Sequence, residues 1–266
     1  MSRYQSMFER CEQQQRIAFI PFVMIGDPDL EASFRIISAL IDAGADALEL
    51  GIPFSDPVAD GPVIQNSAIR ALESGTTPTR AMALLEKVRA AYPDVAIGLL
   101  LYANLVYVKG LDSFYQQCQS IGIDSVLIAD VPLRETTRFD QAAAKHQVES
   151  VHILPPHASE DTLMKVAKQS KGYTYVLGRA GVTGTDKAAQ MPPKEVIEQL
   201  HSYQAAPPVL GFGVSRPEHV AAAKEVGFRG AISGSATVAV IESNLQDTAK
   251  MLDELGDFVA AMKQAT

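Results

Sequence analysis

Three observations predict that this chain of 266 residues folds as a (β/α)8 TIM barrel with an extra N-terminal helix and a short helix after strand 8. Eight short apolar runs recur along the chain, and most are apolar at consecutive positions, as strands buried on both faces of a parallel sheet are. Amphipathic stretches separate these runs, which is the pattern of repeated strand–helix units. No low-complexity segment or long linker interrupts the series, so residues 1–266 are expected to form one barrel domain.

The elements follow one another in a regular order. The first 16 residues are expected to form the extra helix, packed against one end of the barrel. The eight candidate strands are residues 17–25, 46–51, 95–101, 125–130, 150–155, 173–178, 208–213 and 230–234. Between the first two strands, apolar residues recur near the 3.6-residue period over 29–43, which predicts a helix. A glycine that turns at once into a strand ends this helix and two others; the three are Gly44, Gly122 and Gly227.

The composition excludes several classes of protein. The net charge of −8 argues against a nucleic-acid partner, which requires a basic face. The two cysteines, Cys11 and Cys118, lie in helical stretches and form no disulfide framework, which indicates a reduced, cytoplasmic protein. The N-terminal stretch is too polar for a signal peptide, and the longest apolar run, near 95–103, has about half the residues that a membrane span needs. We therefore expect a soluble protein.

The segment LELGIPFSDPVADGP, residues 48–62, carries the strongest functional signal. It begins as strand 2 and breaks at Gly51 into a loop, with Glu49 in the strand end and Asp60 in the loop. A buried carboxylate loses hydration, and this raises its pKa toward neutrality, as a general acid requires. Because the chemistry of this fold sits at the C-terminal ends of the strands, the two acids can share one site. The structural alternative is that Glu49 only caps the strand or pairs with an arginine.

Strands 7 and 8 both end in glycine-rich stretches, GFGVSRP and GAISGSA. Their N–H groups can point at an anion, and a helix opening at Ser235 adds free donors and a positive dipole end. Loops after strands 7 and 8, with a short extra helix, form the recurring phosphate site of this fold. The alternative is that these glycines serve only as turn residues.

A third glycine-rich stretch, Arg179–Pro192, is long for a loop of a compact domain, which is typical of lids and binding loops. A solvated surface loop is the alternative.

The residues that Schiff-base, metal-dependent and dinucleotide-dependent chemistry require are not found at the required positions in the sequence. The lysines fall outside the candidate strands, so no Schiff-base lysine projects from a strand end. His152 and His157 have no third ligand at metal-binding spacing, and no dinucleotide fingerprint follows strand 1. Cofactor-free acid–base chemistry on a flat apolar substrate carrying a phosphate is therefore expected. The apolar residues at the strand ends that would line its pocket are Phe22, Leu100, Tyr102, Leu127, Ile153, Tyr175 and Phe212.

Over essentially its whole length the chain resembles the tryptophan synthase alpha chain family. The segments that carry the resemblance are LELGIPFSDPVADGP, GLLLYANLVYVKG, ADVP, RAGVTG, GFGVS and AISGSA, in this order. The resemblance implies cleavage of indole-3-glycerol phosphate to indole and glyceraldehyde 3-phosphate. It also implies an alpha2beta2 heterotetramer with a beta chain that uses pyridoxal phosphate, while this chain itself holds no cofactor and no metal.

The resemblance gives roles to matching residues. Glu49 would protonate the indole carbon and Asp60 would stabilise positive charge at the indole N–H, while Tyr175 and Thr183 would position these acids. An apolar strand end suits a protonated Glu49, and a polar loop suits an ionised Asp60. The remaining matching residues would hold the substrate: Gly184, Gly213, Gly234 and Ser235 its phosphate, and Phe22, Leu100 and Phe212 its ring.

The loop of Pro53, Asp56 and Pro57 is expected to be exposed at the catalytic end and, with Arg179–Pro192, to face the beta chain. Substrate phosphate and this partner are expected to order Arg179–Pro192 and to bring Thr183 over Asp60. The alternative is that the prolines only shape the loop around Asp60. Two rivals to the main function are a non-catalytic regulatory barrel subunit and another phosphate-binding barrel isomerase or lyase.

Overall fold

The structure, a computed structural model, describes residues 1–178 and 191–266. Within these residues the strands form one nearly closed parallel barrel in the order β5-β4-β3-β2-β1-β9-β8-β7-β6. The strands are β1 Ala18–Met24, β2 Ala47–Gly51, β3 Ala96–Leu101, β4 Ser125–Ile128, β5 Glu149–Ser150, β6 His152–Leu154, β7 Thr174–Leu177, β8 Pro208–Gly211 and β9 Gly230–Ser233. The predicted barrel fold is thereby confirmed.

The fifth predicted strand, residues 150–155, differs from the prediction because it is divided in two. Its first part, β5, pairs with β4, and its second part, β6, pairs with β7. Val151 lies between them, and its N–H still bonds to the carbonyl oxygen of Val126 at 3.1 Å. One stretch of chain therefore borders both edges of the sheet, and nine short strands build the wall that eight were expected to build.

Helices surround this wall. Among the described residues they are α1 Arg3–Gln13, α2 Leu30–Asp42, α3 Pro62–Glu73, α4 Pro78–Ala91, α5 Ala103–Lys109, α6 Leu111–Ile121, α7 Thr137–Lys145, α8 Glu160–Gln169, α9 Lys194–Ser202, α10 Pro217–Val226, α11 Ser235–Ser243 and α12 Thr248–Gln264, with a 3-10 turn over Leu133–Glu135. The helix predicted over 29–43 begins after Asp29, whose carboxylate accepts the N–H groups of Glu31 and Ala32. The extra helices at the N-terminus and after the last strand are both present, as α1 and α11.

Alternate residues of the strands face two different layers. Side chains such as Leu48 and Leu50 point outward and pack against the helices. Side chains such as Ile20, Phe22 and Ile232 point inward and fill the barrel. This period of two follows from the pleat of a strand, and it places Glu49 inside the barrel.

The N-terminal helix closes the lower end of the barrel, where the strands begin. Tyr4 of α1 is buried inside, and its hydroxyl lies 3.0 Å from Oγ of Ser125. Its ring contacts the ring of Tyr173 edge-on, with 5.4 Å between centroids. The opposite end, where the strands stop, is left open for a ligand. In the described parts of the chain, the helices are all too short or too polar to cross a membrane.

Candidate active site

A pocket opens at the C-terminal ends of the strands, and it encloses about 720 Å³ including the space at its mouth. Its walls are mostly apolar. The lining residues are Phe22, Glu49, Ala59, Asp60, Ile64, Leu100, Ala129, Ile153, Tyr175, Phe212, Gly213, Val214, Ser215, Ile232, Gly234, Ser235 and Ala236. The pocket thus brings together both predicted acids, the two glycine-rich strand ends and most of the predicted apolar wall.

Glu49 lies in β2, flanked across the sheet by Phe22 of β1 and Gly98 of β3. Only 2 % of the residue is exposed. Burial raises the pKa of this carboxyl to about 7, against the opposing effect of a hydrogen bond from Tyr173. The Tyr173 hydroxyl donates to Oε1 of Glu49 at 2.7 Å. A substantial fraction of Glu49 is therefore protonated at neutral pH, and this acid faces an apolar cavity.

Asp60 ends the loop after β2, directly before the N-terminus of α3. The residue is only 6 % exposed, so its side chain is buried although its loop is polar in sequence. Burial raises its pKa, while the hydroxyl of Tyr102 donates to Oδ2 at 2.8 Å and lowers it. The same Tyr102 oxygen accepts the N–H of Ala59 at 3.1 Å. One tyrosine thus holds both the side chain of Asp60 and the backbone beside it, and the helix N-terminus favours a negative charge there.

The opposite side of the pocket offers backbone N–H groups. Phe212 and Gly213 both have positive φ angles, of 69° and 76°, so the chain after β8 turns sharply toward the cavity. Helix α11 begins at Ser235, with Gly234 before it and no side chain capping its first N–H groups. Oγ of Ser233 donates to the carbonyl oxygen of Val214 at 2.7 Å and ties the two turns together. This arrangement suits a phosphate, which binds uncapped helix N-termini and glycine-rich turns.

The apolar wall differs from the expectation at two residues. Phe22, Leu100, Ile153, Tyr175 and Phe212 line the pocket as expected. Tyr102 instead reaches Asp60, with its ring stacked on Phe54, and Leu127 packs in the barrel core. Tyr175 stands against Phe212 edge-on, at 6.3 Å between centroids. A Cβ on residue 211 would come within 2.1 Å of the Tyr175 ring, so this wall requires glycine there.

Two tyrosine hydroxyls hold the acids in the described structure: Tyr173 donates to Glu49, and Tyr102 donates to Asp60. The hydroxyl that bonds Glu49 belongs to Tyr173, whereas Tyr175 had been expected to position it. Tyr173 and Tyr175 are two residues apart, and the alternation of a strand could have placed both inside the barrel. Thr183 and Gly184 fall outside the described residues, as does most of the expected lid, Arg179–Pro192.

The loop expected to be exposed is only partly so. Pro53 is buried, which contradicts the expectation for this residue, because it follows directly on the buried end of β2. Asp56 is exposed and accepts a hydrogen bond from Oγ of Ser55 at 2.6 Å. Val58 is 73 % exposed, an unusual setting for an apolar side chain, while Pro57 is half-buried.

Over residues 1–178 and 191–266, no three histidine, cysteine, aspartate or glutamate side chains gather as a metal site. Instead His152, in β6, has Nε2 3.1 Å from Oδ1 of Asp140, and His157 lies exposed in the loop beyond it.

Comparisons with known proteins agree with this architecture. The family model of the tryptophan synthase alpha chain matches residues 8–266. A tryptophan synthase alpha chain of Shewanella oneidensis is 54 % identical over 265 residues, covering 100 % of this chain and 95 % of the relative. The crystal structure of tryptophan synthase subunit alpha from Legionella pneumophila superposes with a TM-score of 0.89 at 28 % identity, covering 100 % of this chain and 98 % of that one. A structure of the tryptophan synthase α2β2 complex from Pyrococcus furiosus superposes with a TM-score of 0.83 at 28 % identity, covering 93 % and 98 %.

Proposed function

The chain belongs to the tryptophan synthase alpha chain family, and we propose that it cleaves indole-3-glycerol phosphate to indole and glyceraldehyde 3-phosphate. The observation that carries this proposal is the pair of acids in one pocket. Glu49 has a pKa of about 7 inside an apolar wall. Asp60 stands at the same cavity, where burial raises its pKa and the hydrogen bond from Tyr102 opposes that effect by favouring the charged form. A retro-aldol cleavage without metal or Schiff base requires one acid that gives a proton and one anion that steadies the ring.

The substrate would bind with its phosphate on the N–H groups at Gly213, Gly234 and Ser235 and with its ring between the apolar walls. Gly184 would complete the phosphate site, and Thr183 would close over Asp60. The distance between phosphate site and acids then fixes which ring carbon faces Glu49. Such positioning turns binding energy into the correct approach of the reacting atoms.

Catalysis would proceed in two steps. Glu49 gives its proton to the indole carbon that bears the glycerol chain, and the positive charge that develops on the ring nitrogen is stabilised by Asp60. The hydroxyl on the adjacent chain carbon then loses its proton, and the carbon–carbon bond breaks. Its electron pair returns to the ring, which leaves indole and the aldehyde of glyceraldehyde 3-phosphate. The Glu49 carboxylate formed in the first step is free to accept the hydroxyl proton.

The experiment that tests this proposal is the release of indole from indole-3-glycerol phosphate by the purified chain. We expect turnover by the wild type and a loss of at least about 10²–10⁴-fold in Glu49→Gln, which keeps the shape of the side chain but not its transferable proton. Glu73→Gln, an exposed residue at the end of α3, is the matched control. Near-normal cleavage by Glu49→Gln would show that another group is the acid.

The partner in the proposed reaction sequence is a tryptophan synthase beta chain in an α2β2 assembly, with pyridoxal phosphate bound by that beta chain and the whole complex in the cytoplasm. The loop after β2 supports this pairing, because it presents Asp56, Pro57 and the exposed Val58 beside the pocket mouth. Proline residues restrict the backbone, which reduces the entropy lost on docking. Pro53 is buried at the start of this loop, so it would anchor the loop to the barrel and would not contact the partner itself.

Asp56→Ala is expected to weaken activation by the beta chain more than it weakens cleavage by the isolated chain, because the side chain points to solvent. Both assays are run on the same preparation. Asp94→Ala, which is exposed at the other end of the barrel before β3, is the control. Equal losses in the two assays would indicate that Asp56 acts inside this chain only.

A further inference from the structure

Helices α3 and α11 each begin at the pocket, and each carries one end of the proposed substrate site. Asp60 lies just before α3, and the phosphate donors include the first residue of α11, Ser235. Gln65 of α3 donates to the carbonyl oxygen of Asp60 at 2.7 Å, so the loop moves with its helix. The separation of the acid from the phosphate site therefore depends on how these two helices are held together.

Arg70 joins the far ends of both helices. It lies in the last turn of α3, about 12 Å along the helix from its start, at 1.5 Å per residue. Its Nη1 lies 3.0 Å from Oε1 of Glu242 in the last turn of α11. Its Nε and Nη2 bond both oxygens of Asp27, at 2.7 and 2.8 Å. Asp27 follows β1, the strand that supplies Phe22 to the pocket.

The geometry of this contact fixes an orientation as well as a distance. The Asp27 side chain is fully buried and also accepts a hydrogen bond from Oγ of Ser67. A planar guanidinium that bonds both oxygens of a carboxylate has one preferred plane. The third nitrogen then points in a set direction, toward Glu242. The fork of Arg70 thus links α11 to α3 and to the chain that follows β1.

We propose that Arg70 is a positioning residue that keeps the phosphate-binding end of the pocket in register with Asp60 and Glu49. This proposal rests on the proposed function for the identity of the substrate. Arg70 touches neither ring nor phosphate, so each half of the substrate binds without its help. Arg70 contributes to the binding of a molecule that carries both the phosphate and the ring, because the two ends of such a molecule must fit their sites at the same time.

Arg70→Lys tests this proposal, because lysine keeps the charge beside Asp27 but lacks the fork. The control is Arg89→Lys: Arg89 pairs with the buried Asp124 at 2.9 Å at the opposite end of the barrel. Calorimetric titration uses three probes, namely inorganic phosphate, indole, and a non-cleavable indole joined by an alkyl chain to a phosphate. We expect Arg70→Lys to bind phosphate and indole as the wild type does, but to bind the linked probe about 10-fold more weakly, since small misplacements are costly.

Arg89→Lys should bind all three probes normally, although both variants lower the thermal midpoint. Unchanged affinity for the linked probe in folded Arg70→Lys would overturn the proposal, as would equal losses for the separate fragments. Because the assay measures binding, it stands even if the wild type proves unable to cleave indole-3-glycerol phosphate. If the wild type does cleave it, kcat/KM of Arg70→Lys for indole-3-glycerol phosphate should fall by at least about 10-fold, the same factor as the affinity for the linked probe.

Glu242→Ala provides a second variant in case Arg70→Lys does not fold. Glu242 is partly exposed, so the loss of its pairing with Arg70 costs little stability. Glu242→Ala removes the side-chain contacts that Glu242 makes with Arg70 and Asn66 of α3, while the bonds of Arg70 to Asp27 remain. The linked probe should bind about threefold more weakly, in keeping with the strength of such a pair, and affinity equal to that of the wild type would count against the proposal.

Discussion

Glu49→Gln is expected to stabilise the folded chain at alkaline pH while it removes activity. The pKa of Glu49 is about 7 in the folded chain, against an ordinary value of 4.5. A group with a raised pKa stabilises the fold fully below its unfolded pKa and loses that contribution as pH rises through its folded pKa. At about 1.4 kcal/mol per pKa unit, burial of the ionised carboxylate costs about 3 kcal/mol above pH 7. Glutamine avoids this cost, and its amide oxygen can still accept the bond from Tyr173.

Urea unfolding at several pH values measures the effect, since the midpoint and slope give the free energy of unfolding. The advantage of Glu49→Gln over the wild type should grow from less than about 1 kcal/mol at pH 5 to about 3 kcal/mol at pH 8. Glu73→Gln, an exposed residue, should show no such growth. A difference that is the same at pH 5 and pH 8 would refute the reasoning, because the raised pKa of Glu49 would then be absent.

Two further predictions concern the tyrosines that hold the acids. Their common control is Tyr92→Phe, which loses only a hydroxyl bonded to Asp42 on the surface. Tyr173→Phe removes the bond that lowers the pKa of Glu49; the alkaline fall of kcat should move to higher pH, and an unmoved profile would contradict this role. Tyr102→Phe removes the donor to Asp60 and leaves the Ala59 N–H without its acceptor. It should lower kcat/KM by about 10²-fold, similar to the loss of one donor at a developing charge, and should move the acidic limb upward; a loss confined to stability would contradict it.

The sequence predicts the parts of the site that depend on local pattern. Glu49 is found because a carboxylate interrupts an apolar strand, and such an interruption has few explanations. Ser235 is found because a helix opens behind a glycine-rich strand end. Both signals lie within a few residues of chain, so neither requires knowledge of the tertiary structure.

The partners of the acids depend on how the strands assemble in the barrel, which no local pattern reports. Tyr173 meets Glu49 across 124 residues of sequence, and Tyr102 meets Asp60 across 42. The burial of Asp60 has the same origin: its loop is polar in sequence, but it folds back under Tyr102. The division of strand 5 is also a tertiary feature, because its first part pairs with β4 and its second part pairs with β7.

The N-terminal helix has a consequence for how the chain tolerates change at its start. Domain termini usually accept truncation and fused tags with little effect. In this chain Tyr4 forms the floor beneath Tyr173, which in turn bonds Glu49. Removal of α1 would admit water from below, and hydration would return the pKa of Glu49 toward its ordinary value. Glu49, inside the barrel, would then be ionised at neutral pH, so a deletion at the terminus would abolish the chemistry of a pocket that opens at the opposite end of the molecule.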